Sequence, residues 1–278
     1  MLLTSLYVPG DRPDRFAKAV ASGADAVILD LEDAVAATRK AYAREAVAEF
    51  LAGQHPVPVL VRINDPQGPE AGADRAALAG LAGAAGVKVP KVESRRVLTA
   101  LAARVRVPLH PLIESALGLE AAHAVATHPA VASIGLGEAD LRSDLGVDGD
   151  EALLWARGRI VVAARAAGLP PPQMSVYPNV TDLDGLADSC AAGRRLGFLG
   201  RAAIHPRQLP VIAAAFRPAA QDVARAEALL AALADAQTRD AGTVVLPDGR
   251  FADRAMVAAA RHIVELAARY ATDDGARP

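Results

Sequence analysis

The sequence has 278 residues and a single cysteine, Cys190, which excludes an internal disulfide framework and a cysteine-rich zinc site. Aromatic residues make up only 4% of the chain, and the net charge is −2, with no basic stripe typical of nucleic-acid binding. No apolar run approaches the length of a membrane span, and residues 1–6 lack the basic start of a secretory signal. We therefore expect a soluble cytoplasmic protein without nucleic-acid or membrane partners.

Hydrophobic residues, at 52% of the sequence, are sufficient for a large core. Short apolar runs alternate with helical patterns, which predicts βαβ units and a parallel sheet. A count near eight strands within about 200 residues favours an α/β fold of the TIM-like (β/α)₈ barrel type over an open sheet. The predicted strands are Leu3–Val8, Ala26–Leu31, Val57–Ile63, Gly86–Val89, Val107–Ile113, Val131–Leu136, Gln173–Val176 and Gly197–Ala203.

The pattern changes after Pro206. Val223–Ala236 and Arg254–Tyr270 are predicted helices, and between them Gly242–Arg250 contains two short extended pieces around an Asp-Gly turn signal. We therefore divide the chain into a catalytic barrel, 1–217, and a C-terminal helix–hairpin–helix appendage, 218–278. The appendage would cover the barrel or an oligomer neighbour, or act as a lid.

Two carboxylates follow neighbouring predicted strands. Glu114 ends the first strand in PLIESALGL, and Asp140 follows the second in GLGEADLRSDLG. Ligands of α/β proteins lie at the carboxyl ends of the strands, and two hard oxygen ligands with open positions suit Mg²⁺. The alternative is that each carboxylate caps the helix that follows it. Their shared position favours a magnesium site.

An acidic cluster and an arginine end the second and third strands. Asp30, Glu32 and Asp33 repel one another unless a cation or a proton intervenes. Arg62 ends an apolar strand, where a charge is costly unless it is paired. Arg62 can pair with Asp30 or Glu32, or hold a substrate carboxylate with both ends of its guanidinium, and the two uses are compatible.

Basic residues follow two other predicted strands. Arg12 and Lys18 can meet an anion at the barrel rim, or belong to a solvated charged face. Lys88 and Lys91 flank the exit of the fourth strand, and the sequence does not indicate which of them faces the site. A Schiff-base lysine is an alternative to the metal route.

An ordered series of motifs resembles the citrate lyase β-subunit, or CitE-like, group of the HpcH/HpaI aldolase superfamily. The motifs occupy the first three quarters of the chain: SLYVPGDRPDRFAKA, AVILDLEDAV, VRIN, KVPKVES, PLIESALGL, GEADLRSDLG and GRAAIHPRQ. The resemblance implies a TIM-like barrel, Mg²⁺, and carbon–carbon cleavage or condensation of acyl-CoA thioesters. The substrate would be a β-hydroxyacyl-CoA such as citryl-, malyl- or citramalyl-CoA, giving a keto acid and an acyl-CoA.

The resemblance also implies roles for individual residues. Glu114 and Asp140 match the metal ligands, and Arg62 matches the arginine that holds the keto-acid carboxylate. Lys18 and Arg12 match basic residues near CoA or the substrate carboxylates.

The resemblance places Asp33 in the acidic motif beside the metal site, and it also implies how subunits associate. The substrate hydroxyl must lose a proton in cleavage, and Asp33 or a metal-bound water would accept it. The segment DGRFADRAMV places at Asp253 an aspartate that reaches a neighbouring subunit's site, which implies a homo-oligomer, a trimer or a multiple of one.

Two departures from the family pattern affect the expected orientation of CoA and the choice of substrate. Gln173 to Ser175 lacks an acid that relatives often carry, and Arg201 stands where they often have lysine. Two other functions stay open: a metal-dependent aldolase acting on free keto acids, and a non-catalytic subunit that binds an acyl-carrier protein.

Overall fold

The computed structural model describes residues 2–77, 83–238, 244–245, 251–252 and 254–273. Contacts within the chain define two compact units, Met1–Phe216 and Arg217–Pro278.

The first unit is an α/β fold built on a curled parallel sheet. Over the described residues the sheet has seven strands in the order β6-β5-β4-β3-β2-β1-β7, and all of its pairings are parallel. The strands are β1 Thr4–Pro9, β2 Ala26–Asp30, β3 Val59–Arg62, β4 Gly86–Val89, β5 Leu109–Ile113, β6 Gly135–Leu136 and β7 Arg201–Ala203. The helices are α1 Phe16–Val20, α2 Lys40–Leu51, α3 Ala71–Ala77, α4 Arg95–Ala102, α5 Ala116–Ala126, α6 Glu138–Leu145, α7 Leu154–Ala166, α8 Leu183–Leu196 and α9 Gln208–Phe216.

The central strands are buried along their whole length. Every residue of β2 is buried, and Val61 and Val87 are fully inaccessible to solvent. Continuous burial is typical of parallel strands covered on both faces, where β-branched residues pack well. The first five strands have almost the bounds that the apolar runs predict.

The last predicted strands differ from the structure. Of the predicted sixth strand, Val131–Leu136, only Gly135–Leu136 forms a strand. Val131 makes an isolated bridge to Leu109. In the segment 173–176, Met174 makes a single parallel bridge to Arg201. The Ser175 hydroxyl donates to the Leu136 carbonyl at 2.6 Å and accepts from the Glu138 amide at 3.2 Å. Three consecutive prolines, 170–172, precede this segment and have no N–H to give a ladder, which explains its shortness.

The second unit consists of α10 Ala220–Thr238, the antiparallel strands β8 Val244–Val245 and β9 Phe251–Ala252, and α11 Arg254–Asp273. Its two helices pack through small and aliphatic side chains, with Ala226, Leu229 and Ala260 buried at the contact. No helix in the described part of the chain combines the length and apolar character needed to cross a bilayer.

Candidate active site

A cavity of about 900 Å³ opens at the carboxyl ends of the strands. Its lining brings together four of the residues that the sequence singles out: Asp33, Arg62, Glu114 and Asp140.

Asp30 organises the acidic turn after β2. It is 1% exposed, and its carboxylate accepts hydrogen bonds from the Glu32 and Ala34 amides, at 2.9 and 3.1 Å. The same carboxylate binds both ends of the Arg62 guanidinium, at 2.7 Å from Nε and 2.6 Å from Nη2. Asp30 therefore shapes the turn and orients the arginine.

Arg62 is the centre of a buried ionic network. Its Nη1 lies 2.9 Å from Glu32 and 3.2 Å from Asp33, and its guanidinium lies 5.0 Å from the centre of the Tyr7 ring. The expected pairing with Asp30 and Glu32 is present. The Nε–Nη2 edge is occupied by Asp30, and the Nη1 side is contacted by Glu32 and Asp33.

Glu32 is buried without hydrogen bonds. Its side chain is 7% exposed, and neither carboxylate oxygen has a hydrogen-bond partner among the described residues. The 2.9 Å contact with Arg62 is an ion pair by distance, but its angles are not those of a hydrogen bond. Burial raises the pKa of Glu32 to about 8, although Arg62 opposes the change. The acidic turn therefore carries a carboxylate that a nearby cation would stabilise.

Glu114 follows the last residue of β5 and is 5% exposed. Its Oε2 accepts a hydrogen bond from the Lys91 amide at 3.0 Å. The carboxylate lies directly over Gly137, where a Cβ would overlap it, so any larger residue there would require the Glu114 side chain to move. Burial raises the pKa of Glu114 to about 7, against the Lys91 hydrogen bond, and the charge of Asp140 raises it further.

Asp140 lies in the first turn of α6 and is exposed. Neither acid caps the helix that follows it. Ser115 caps α5 by accepting from the Gly118 amide, and Gly137 precedes α6 without a side-chain cap. The capping alternative is wrong for both residues, because Ser115 caps α5 and Asp140 lies inside α6 and does not cap its start.

The two carboxylates are an incomplete metal site by themselves. In the parts of the chain that the structure describes, no three or more histidine, cysteine, aspartate or glutamate side chains converge as a metal-binding group. A pair of hard oxygen donors at a cavity fits Mg²⁺, which keeps waters or substrate oxygens in most of its coordination positions.

The structure resolves the directions of Lys88, which lies within β4, and of Lys91, which follows it. Lys88 lines the cavity. Lys91 has a φ of 53°, a left-handed conformation rare for a residue with a side chain, and its Nζ lies 3.9 Å from Glu32. This backbone conformation accompanies the hydrogen bond from the Lys91 amide to Glu114.

Three predicted residues are not gathered at the cavity. Arg12 is exposed and pairs with Asp14 at 2.9 Å, and Lys18 is exposed on α1. Neither lines the described cavity. Asp253 lies outside the described residues.

One ionic cluster was not anticipated from the sequence. Arg157 on α7 binds both oxygens of Glu138, at 2.9 and 2.6 Å, and contacts Asp150 at 3.3 Å. It is 5% exposed and ties the first turn of α6, which carries Asp140, to α7. The sequence does not set Arg157 apart, because α7 also carries Arg159 and Arg165.

Comparisons with known proteins show the family of this chain. A model of the HpcH/HpaI aldolase/citrate lyase family matches residues 3–206. The chain belongs to this family. A (3S)-malyl-CoA thioesterase of Cereibacter sphaeroides is 34% identical over 94% of this chain and 93% of its own length. A citrate lyase subunit beta-like protein of Deinococcus radiodurans is 33% identical, over 95% and 96% of the two chains.

Solved structures of family members are also similar to this chain. The protein CitE from Mycobacterium tuberculosis, in complex with magnesium, acetoacetate and coenzyme A, superimposes with a TM-score of 0.82. It is 32% identical and covers 95% of this chain and 97% of its own. A citrate lyase beta subunit from the same organism, complexed with oxaloacetate and magnesium, has a TM-score of 0.70 and 34% identity, over 78% of this chain and 97% of its own. The family resemblance drawn from the motifs is therefore confirmed.

Proposed function

We propose that this protein is a Mg²⁺-dependent carbon–carbon lyase. It cleaves or forms a β-hydroxyacyl-CoA such as citryl-, malyl- or citramalyl-CoA, with a keto acid and an acyl-CoA as the other partners. The observation that carries the proposal is the buried Glu114 carboxylate, held over Gly137 beside Asp140 at the edge of the cavity. The magnesium- and CoA-bound relative structures support it.

Glu114 and Asp140 would hold the metal. Magnesium bound there supplies a Lewis acid that polarises the oxygen destined to become the ketone. The raised pKa of Glu114 fits this role, because a bound cation favours the ionised form of a buried carboxylate.

Arg62 would orient the keto-acid carboxylate through Nη1, since Asp30 holds the opposite edge of its guanidinium. Asp33 lines the cavity, is largely exposed and contacts Nη1, so it is the residue proposed to take the hydroxyl proton. As that proton leaves, the C–C bond breaks, its electron pair becomes the thioester enolate, and the hydroxyl oxygen becomes the ketone oxygen. Protonation of the enolate carbon completes the acyl-CoA.

Arg12 and Lys18 would contact CoA or the substrate carboxylates as exposed cations outside the cavity lining. The bridge of Met174 to β7 and the hydrogen bonds of Ser175 to the β6 region support a closed (β/α)₈ barrel with segment 173–176 as its eighth member.

We further propose that residues 1–217 form the catalytic domain and that 218–278 act as a lid in a homo-oligomer, a trimer or a multiple of one. Asp253 would then act in a neighbouring subunit's site. The motif around Asp253 supports this arrangement.

Thioester hydrolysis is a second candidate, because relatives named (3S)-malyl-CoA thioesterase share 34% identity with this chain. Lyase action gives a keto acid and an acyl-CoA, whereas hydrolysis gives free CoA and the intact hydroxy acid.

The test is incubation of the purified protein with Mg²⁺ and citryl-, malyl-, citramalyl- or hydroxymethylglutaryl-CoA, with products identified by mass spectrometry. Loss of turnover in EDTA and its return with Mg²⁺ is expected. Free CoA with the hydroxy acid as the products, or cleavage of the free acids without CoA, would reject the proposal. Failure of the isolated chain to act, with activity only beside an acyl-carrier protein, would also reject it.

A further inference from the structure

Lys88 lies in a charged layer on the inner face of the sheet. The strand register pairs Lys88 with Arg62 on one side and with His110 on the other. All three side chains line the same cavity. His110 lies four residues before Glu114 in the chain, so this layer is deeper in the cavity than the proposed metal site.

The charges of this layer are unevenly balanced. Arg62 contacts three carboxylates, those of Asp30, Glu32 and Asp33. Lys88, in contrast, forms no hydrogen bond or ion pair with any residue in the described ranges. Burial, together with the nearby positive charge of Arg62, lowers the pKa of Lys88 to about 8, so the amine is still mainly protonated at neutral pH. A cation in such a place is costly until an anion joins it.

The nearest compensating charge comes from Glu114. In the proposed function that carboxylate is a metal ligand, and its negative charge is then shared with Mg²⁺. Lys88 thus gains little from Glu114 in the working enzyme. The remaining source of negative charge is a ligand inside the cavity.

The surroundings of Lys88 suit a small polar group. A ring nitrogen of His110, Nδ1, lies 2.8 Å from the Ser133 hydroxyl, and both side chains line the cavity. Gly86 makes room for the imidazole, since a Cβ at that position would lie 2.5 Å from Nε2. Farther along the same face the packing is apolar, with Ala26, Ile28 and Leu60 in one cluster. The part of the cavity around Lys88, His110 and Ser133, here called the recess, is therefore polar, and Leu60 of the apolar cluster lines the same cavity.

The substrate's own chemistry determines what enters this recess. The carbinol carbon of a β-hydroxyacyl-CoA carries four groups. Its hydroxyl and carboxylate belong at the metal and Arg62, and its thioester arm leads out to solvent. The fourth group is left to point inward. It is a hydrogen in malyl-CoA, a methyl in citramalyl-CoA and a carboxymethyl in citryl-CoA.

We propose that Lys88 binds a second carboxylate on the keto-acid half of the substrate, and so selects substrates whose cleavage releases a dicarboxylic 2-oxo acid. This inference rests on the proposed function. A hydrogen or a methyl in the recess leaves the Lys88 charge without a partner, whereas a carboxymethyl group supplies one.

The test measures binding and turnover separately. With Mg²⁺ present, calorimetry compares oxaloacetate with pyruvate on the wild type, on Lys88→Met and on Arg165→Met. The last variant removes a positive charge from an exposed position on α7 and is the matched control. The wild type and the control should favour oxaloacetate by about 10-fold to 100-fold, the range of a charge-assisted hydrogen bond, and Lys88→Met should abolish the preference.

Turnover should follow the same pattern. The ratio of kcat/KM for citryl-CoA to that for citramalyl-CoA should fall more than about tenfold in Lys88→Met, and Lys88→Arg should recover part of it. Ligand-free Lys88→Met should melt at or above the wild-type temperature, because an unpaired cation is replaced by an apolar chain of similar length. A purely structural lysine would instead lower the melting temperature without changing the ratio.

Four results would overturn the inference: equal binding of oxaloacetate and pyruvate by the wild type, an unchanged preference in Lys88→Met, a borohydride-trapped covalent adduct on Lys88, or better cleavage of citramalyl-CoA than of citryl-CoA. The proposed function fails separately. If no CoA thioester is cleaved but the binding preference holds, the function is wrong and the Lys88 inference stands. If citramalyl-CoA is cleaved better than citryl-CoA, the proposed function stands and the Lys88 inference is wrong.

Discussion

Replacing Glu114 with glutamine tests the metal site most directly, because it changes one charge and almost no volume. Burial raises the pKa of Glu114 from its ordinary 4.5 to about 7. A carboxyl whose folded pKa is raised contributes stability that is present below pH 4.5 and is lost as the pH rises through about 7. At pH 8 its ionisation costs the folded protein roughly 3 kcal/mol, at about 1.4 kcal/mol per pKa unit.

Metal-free Glu114→Gln should therefore be more stable than the wild type at pH 8, by up to roughly 3 kcal/mol, and nearly equal to it at pH 4. For a domain of this size that corresponds to a rise in Tm of roughly 6–12 °C. With Mg²⁺ the order should reverse. Loss of one of two charged ligands should weaken Mg²⁺ binding on the order of 100-fold, so that only the wild type gains stability from the metal.

The assay is thermal unfolding at both pH values with and without Mg²⁺, together with calorimetric titration of the metal. Glu120→Gln is the matched control, because Glu120 is exposed on the same α5 helix that follows Glu114. The control should behave as wild type throughout. Wild-type Mg²⁺ affinity in Glu114→Gln would refute the assignment, and a metal-free variant that melts well below the wild type at pH 8 would refute the argument from burial.

Three further predictions concern neighbouring groups. Stabilisation by Mg²⁺ should be larger at pH 8 than at pH 6, because Glu32, with a pKa raised to about 8, and Glu114 must both ionise; a pH-independent gain in Tm would contradict this. Arg62→Lys should lose keto-acid binding and about 2–4 kcal/mol of stability, measured by calorimetry and urea unfolding, because lysine cannot hold Asp30 with two hydrogen bonds; unchanged binding would make Arg62 purely structural. Asp253→Ala should cut turnover but keep Mg²⁺ binding, and subunit exchange with Glu114→Gln should restore some activity; a strictly monomeric active protein would reject its action across subunits.

Much of the fold was predictable from local pattern. Buried parallel strands such as Ala26–Asp30 are continuous apolar runs, and their spacing by helical segments predicted the α/β sheet. The prediction was less accurate at Gln173–Val176, where neighbouring prolines removed the donors that a ladder needs. Strand ends carry ligand groups in such folds, so Glu114 and Asp140 could be selected before any coordinates were known.

The sequence by itself thus determined the α/β class and the family, and it placed Glu114 and Asp140 after neighbouring strands. Tertiary structure decided what each charged side chain does. It showed that Asp30 occupies one edge of Arg62, that Glu114 is buried over Gly137, and that Lys88 lines the cavity without a hydrogen bond or ion pair to any described residue. The reason is physical: apolar periodicity is a local property of the chain, whereas the direction, burial and charge balance of a side chain depend on strands that are distant in sequence and meet only when the sheet curls.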